Sequence, residues 1–266
     1  MSLLLDPEAR PVVAHRGDSA HAPENTLESF GQAVALGADA LECDVHLSRD
    51  GHVVVIHDPT VDRTTNASGA VASRTLAELQ QLDAGFRFSR DVGRTFPWRG
   101  RGVVIPTLEA VLTAFPSTPV IVEVKTPSAS ERARQVLLRF DPSRCLVGAF
   151  EAESFAPFTG SGIARTASQS DVIRLFARAL LPWSPHTLPY QALCIPPVER
   201  GIPIPVLRFS RMGHAAGIPT HVWVVDEPAR ALRYWRAGVN AMITNDPALL
   251  LAAAGRVSAR LHPSPV

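Results

Sequence analysis

The feature that most constrains this chain is a repeating beat, in which short apolar, β-rich runs alternate with helical patterns over almost the whole length. Strands are expected at Pro11–His15, Ala40–Val45, Val120–Val124, Cys145–Ala149, Ala164–Ser168, Ala192–Ile195, Thr220–Val225 and Ala241–Thr244. Helical patterns follow most of them, at Leu27–Leu36, Leu108–Phe115, Ser130–Phe140, Val172–Leu181, Arg208–Ala216, Pro228–Ala237 and Pro247–Ala254. Such alternation builds right-handed βαβ units whose strands run parallel. Eight units predict a closed (β/α)8 TIM barrel rather than an open doubly wound sheet, and 266 residues is the usual size of one such domain. No Gly-x-Gly-x-x-Gly follows the first strand, which argues against a dinucleotide-binding fold.

The alternation breaks once. Gly51–Ile56 reads as a return strand or an extension, and residues 59–106 contain no clear barrel unit. A loop this long inside a compact domain is usually functional. It is expected to be a small insertion after the second strand that caps the barrel mouth, its Phe86, Phe88, Phe96 and Trp98 serving either that cap or a mini-core. Residues 1–266 otherwise read as a single domain with a Pro-rich, frayed tail from Ser258.

Composition narrows the partners. A net charge of +1 gives no general attraction for nucleic acid or an anionic membrane. Cys43, Cys145 and Cys194 are an odd count in apolar runs, as buried thiols of a reducing compartment would be. No stretch has the length and character of a signal peptide or membrane helix, so a cytoplasmic protein without a stable membrane anchor is expected. All the basic residues are Arg except Lys125, which lies inside the apolar run beginning at Val120. A lone compact ammonium there is a site candidate, because Arg and Lys are not equivalent where a point charge is needed.

Barrel active sites lie at the carboxyl ends of the strands. Those ends carry His15-Arg16-Gly17, Glu42 and Asp44, His57-Asp58, Glu123 and Lys125, Trp223, and Thr244-Asn245-Asp246. Residues two apart on a strand share a face. Cys43, Val45, Val122 and Val124 should therefore pack outward under helices, while Glu42, Asp44, Glu123 and Lys125 look inward. Three carboxylates gathered in a desolvated interior need a compensating cation. An all-oxygen set favours a hard divalent ion, Mg²⁺ or Ca²⁺ with Mn²⁺ as a further option, over zinc. With Arg16 and Lys125 the site would be left slightly positive, which suits a singly charged phosphodiester. His46 shares the parity of Glu42 and Asp44. Asp58, beside Pro59, reads as turn chemistry, and Asn25 with Glu28 as a capping box for a helix starting near Thr26.

Taken together, His15-Arg16-Gly17, Pro23-Glu24-Asn25-Thr26, Glu42-x-Asp44-Val45, Asp50-Gly51, His57-Asp58, Ile105-Pro-Thr-Leu-Glu109, Glu123-Val-Lys125 and His221-Val-Trp-Val-Val225 resemble the glycerophosphodiester phosphodiesterase family. The likeness runs in order along nearly the whole chain. It implies metal-dependent hydrolysis of a glycerophosphodiester to glycerol phosphate and an alcohol. His15 and His57 would be the general acid–base pair, and Glu42, Asp44 and Glu123 the ligands of one divalent cation. Arg16 and Lys125 would contact the phosphate, Trp223 would wall the substrate, and Glu24 would support the first-strand loop. Two departures stand out. The family often has Asn after a Trp-Thr-Val run, where this chain has Val224 and Asp226. Its last strand often ends Thr-Asp, whereas Asn245 here precedes Asp246. Both lie at the substrate end and bear on headgroup preference. A lysophospholipase D-type enzyme acting on lipid phosphodiesters, its acyl chain held by Leu180–Trp183 or the aromatic insertion, is the nearest rival. A non-catalytic polyol-phosphate-binding barrel is the other, disfavoured because a binder needs no histidine pair.

Overall fold

The structure is a computed structural model that describes residues 2–179 and 186–256. The expected helix end at Leu181, the apolar segment Leu180–Trp183 and the tail from Ser258 lie outside these residues. The first half of the chain forms β1 (Val12–His15), α1 (Leu27–Leu36), β2 (Ala40–Leu47), β3 (Val53–Val55), α2 (Leu76–Leu79), α3 (Leu108–Ala114), β4 (Val120–Val124) and α4 (Pro127–Leu137). There follow β5 (Cys145–Gly148), β6 (Ala164–Arg165), α5 (Gln169–Ala179), β7 (Leu193–Ile195), β8 (Val198–Glu199) and β9 (Ile202–Pro203). The chain continues through α6 (Val206–Ala215), β10 (Thr220–Val222), α7 (Pro228–Arg236), β11 (Ala241–Thr244) and α8 (Pro247–Ala253).

Eight of these strands are parallel neighbours in the order β6-β5-β4-β2-β1-β11-β10-β7. The two ends meet, since the Ala167 N–H donates to the Ala192 carbonyl and the Gln191 N–H to the Arg165 carbonyl, both at 3.0 Å. The alternation in the sequence thus yields the eight-stranded barrel it predicts. The largest differences are in β6, which stops at Arg165 and leaves Thr166 as a single bridge to Ala192, and in β10, which stops at Val222. The fourth helix begins at Pro127 rather than Ser130, because proline at a first helical position already has the required φ and no hydrogen-bond donor to lose. Three-10 turns at Ala152–Phe158 fill the place of a helix between β5 and β6.

Strand pleating sorts the core. Cys43, Val45, Val122 and Val124 face outward and pack with Leu108, Val111, Ala129 and Ala133 of the surrounding helices. Ala40, Ile121, Leu146 and Ile243 face inward and close the barrel floor around Leu4, the fully buried centre of a three-10 turn at Leu3–Leu5. Burying a leucine in this way contributes roughly 2 kcal/mol. The return strand is present as β3, antiparallel to β2. Residues 59–106 fold onto it around their own cluster of Val61, Val71, Leu79, Ala84, Val103 and Ile105, with Trp98 at its edge. Phe86 and Phe96 instead sandwich the Arg99 guanidinium at 4.1 and 3.7 Å.

Candidate active site

Strand register brings the chemistry together. His15 of β1 pairs with Glu42 of β2, and Asp44 of β2 pairs with Glu123 of β4, so three carboxylates sit on adjacent inward positions. Each offers one oxygen, and the three oxygens lie within 4.8 Å of one another. The five groups expected to form the centre (His15, His57, Glu42, Asp44 and Glu123) do converge. His15 Nε2 lies 4.0 Å from Glu42 Oε2. The two cations expected to contact phosphate converge as well, but each is engaged with carboxylates. Lys125 Nζ lies 2.8 Å from Asp44 Oδ1 and 2.6 Å from Glu123 Oε1. Arg16 contacts Asp44 Oδ2 through Nε at 3.0 Å and donates from Nη1 to Glu24 Oε1 at 2.9 Å.

The electrostatics of this cluster are lopsided. Burial, reinforced by Asp44 and Glu123 alongside, pushes the Glu42 carboxyl well above the usual carboxylate range. Glu123 is raised too, mainly by burial. For Asp44 burial acts upward, but Lys125 and Arg16 outweigh it and hold the carboxyl down. Two cations therefore do not offset three buried acids. The donors present, all oxygen and over-charged, fit a hard divalent cation.

These groups line one side of a cavity of about 660 Å³ at the carboxyl ends of the strands. The opposite side is apolar: Phe150, Ile173 and Phe176 from the β5 end and α5, Ile202 and Ile204 from the β8–β9 hairpin, and Trp223. Trp223 packs edge-to-face on Phe150 with centroids 6.0 Å apart. His57 and residues beyond 120 contribute to the wall, but none of 59–106 does.

A model of the glycerophosphoryl diester phosphodiesterase family matches residues 15–249. The chain belongs to this family. A glycerophosphodiester phosphodiesterase of Caldanaerobacter subterraneus is 35% identical over 248 residues, covering 90% of this chain and 96% of its own. An Oleispira antarctica phosphodiesterase, solved in complex with the product sn-glycerol-3-phosphate, superposes with a TM-score of 0.73 at 26% identity, over 93% of this chain and 97% of that one. A glycerophosphoryl diester phosphodiesterase domain from Mycobacterium tuberculosis shares the fold with a TM-score of 0.82 at 24% identity, over 94% of this chain and all of its own. Among the described residues no helix is long and apolar enough to cross a membrane.

The phosphodiesterase surrounds its central groups with supports that the sequence hid. Asn25 is no helix cap. Thr26 caps α1 in a box with Ser29, while Asn25, at φ 58°, donates from Nδ2 to Asp44 Oδ2 at 2.8 Å and accepts from the Asp44 N–H. Arg16, whose carbonyl accepts from the Asn25 N–H, and Gly17 are left-handed as well, and a Cβ at Gly17 would collide with Ser29, so only glycine fits. Asp58 is more than a turn residue, since its Oδ1 lies 2.6 Å from His57 Nδ1. Arg63, from the insertion, clamps Asp58 and Glu24 together at 2.6 to 2.8 Å. His46 does not reach the cavity and instead bonds the His57 carbonyl through Nε2 at 3.1 Å. His15 Nδ1 lies 2.7 Å from Asn245 Oδ1, and burial, with Arg16 beside it, lowers the His15 pKa to about 4. A further ionisable group lies beyond this, where the His21 ring sits between Asp18 (Nδ1, 2.9 Å) and Asp246 (Nε2, 3.9 Å). Adjacency to His57 was the signal available for Asp58; Asn245 and Asp226 had only their departure from the family pattern.

Proposed function

We propose that this phosphodiesterase hydrolyses glycerophosphodiesters to glycerol phosphate and an alcohol, using one divalent cation at Glu42, Asp44 and Glu123 and a proton-transfer pair, His15 and His57. The observation that carries this is the register of β1, β2 and β4, which gathers three carboxylate oxygens within 4.8 Å of one another beside His15, in a cavity that His57 also lines. Mg²⁺ or Ca²⁺ suits that oxygen set, Mn²⁺ less specifically. Such an ion, when bound, offsets charge on a non-bridging phosphate oxygen.

The chain supplies the rest. Each histidine has its Nδ1 engaged, by Asn245 Oδ1 or by Asp58 Oδ1, which leaves Nε2 for proton transfer. One Nε2 takes the proton of the nucleophile, either water or a neighbouring substrate hydroxyl whose cyclic phosphate water then opens, while the other hands a proton to the leaving alkoxide as the P–O bond breaks, a pairing that contributes about 10²–10⁴-fold. Arg16 and Lys125 add positive charge beside the cluster and orient an anionic substrate. Glu123→Gln removes one ligand charge while keeping the shape. It is expected to lower glycerophosphocholine hydrolysis at least about 10²-fold and to abolish the response to added Mg²⁺ or Ca²⁺ after chelation. Unchanged turnover by the chelated wild-type enzyme would rule out the metal role.

The apolar side of the cavity favours a second reading, in which the substrate is a lipid phosphodiester and Ile173, Phe176, Ile202 and Ile204 hold its acyl chain. Comparing glycerophosphocholine with a lysophospholipid under identical conditions separates the two.

A further inference from the structure

Asp226 and Asn245 touch one another, and Asn245 touches His15. Asp226 lies just beyond β10 and Asn245 just beyond β11. Although Asp226 is exposed, three donors hold its carboxylate. Oδ1 accepts from the Thr244 hydroxyl at 2.8 Å and from the Asn245 N–H at 2.8 Å, and Oδ2 accepts from Asn245 Nδ2 at 2.8 Å. A carboxylate only accepts. The amide must therefore turn its NH₂ toward Asp226 and its carbonyl oxygen away from it.

That oxygen faces His15 Nδ1 at 2.7 Å, and Ser19 Oγ braces it at 3.0 Å. An amide oxygen has no hydrogen to give, so Nδ1 must carry one. In the neutral ring the lone pair then belongs to Nε2, on the Glu42 side of the cavity. A charge on one loop thus fixes a tautomer on another strand, two hydrogen bonds away.

We propose that Asp226 is a positioning residue that, through Asn245, sets the tautomer and ring orientation of His15 so that Nε2 handles the proton in the reaction. The inference rests on the reading of His15 as a proton-transfer group given above. It makes an unusual demand on mutants. In D226N the new amide can keep its oxygen on Thr244 and the Asn245 N–H only by turning its NH₂ toward Asn245. The Asn245 amide then flips, presents NH₂ to His15 Nδ1, and moves the ring hydrogen to Nε2. In N245D two carboxylates face each other at hydrogen-bond distance. In the exchanged double variant D226N/N245D, the amide donates to the carboxylate and the carboxylate accepts from His15, so the original tautomer returns.

Steady-state kinetics on glycerophosphocholine and heteronuclear NMR of the imidazole nitrogens test this on the full chain, with H15A as reference. The expected result is a kcat drop of about 10²-fold in D226N with KM within about threefold, a switch of the His15 tautomer, and recovery of both in the double variant to within about fivefold of wild type. An unchanged tautomer in D226N overturns the proposal, whatever happens to the rate. So does a rate loss that the double variant fails to recover, since that marks a purely structural role. If H15A itself keeps its kcat, the acid–base assignment of His15 falls and takes this inference with it. A tautomer switch seen beside that result would identify the acid–base assignment as the part that failed.

Discussion

Asp58 and His57 are neighbours in sequence, yet their partnership could not be read there, because a carboxylate before proline is ordinary turn chemistry. The fold brings Asp58 Oδ1 to 2.6 Å from His57 Nδ1 and anchors the other oxygen on Arg63 at 2.6 Å. Burial acts to raise the Asp58 carboxyl, but the hydrogen bonds from Arg63 and His57 prevail and bring it to about 2. At neutral pH it is therefore an anionic acceptor. Asp58→Asn should lower kcat about 10- to 100-fold with KM for glycerophosphocholine nearly unchanged, as loss of an orienting partner behind a working histidine typically does. Steady-state kinetics check it, and a parallel fall in melting temperature with a raised KM would point to local unfolding instead. By contrast, the convergence of Glu42, Asp44 and Glu123 was legible from the sequence. Strand parity alone puts them on one face, and the flanking Cys43, Val45, Val122 and Val124 put that face inside.

Elements built from long periodic runs were legible, and those built from short irregular ones were not. β2 and β4 announce themselves as apolar, β-rich runs, whereas β8 and β9 are two residues each and β9 carries a proline. No periodicity identifies a hairpin that short. It nevertheless supplies Ile202 to the cavity beside Ile173 and Phe176 of α5. The sequence left the aromatic insertion open between a cap and a mini-core, and that segment packs a cluster of its own against Val54 of β3. If α5 and the hairpin hold an acyl chain, Phe176→Ser and Ile204→Ser should each lower kcat/KM for a lysophospholipid about 10-fold, since each removes a side chain worth of order 1–3 kcal/mol of apolar contact. Activity on glycerophosphocholine should stay within about twofold. Equal losses on both substrates would show that the wall only maintains the fold.

At the scale of the molecule, eight βαβ units predicted a ring, and hydrogen bonds between 165–167 and 191–192 close it. What the units could not reveal is how the floor is sealed. Leu4 enters from outside the repeat, and its backbone acts against burial on the ring of His221 in β10. Burial lowers the His221 pKa from 6.5 to about 4. The folded state therefore holds this ring neutral, while the unfolded chain takes up a proton below pH 6.5. Its contribution to stability is complete above that value and is lost as the pH falls toward 4, by up to roughly 3 kcal/mol. Urea unfolding at pH 7 and pH 4.5 should show a loss in wild type that is smaller in His221→Gln, with His15, lowered to about 4 as well, supplying a share that remains; an equal loss in both proteins would exclude His221 as a source. The cavity above this floor has a longer-term consequence. Its carboxylates Glu42 and Glu123 and its His15 stand on barrel strands that neighbouring strands lock in register, while its greasy wall borrows α5 and a hairpin that forms a separate two-stranded sheet. Descendants of this scaffold can thus exchange one clientele of alcohols for another by rewriting the wall, and pass on the hydrolytic machinery intact.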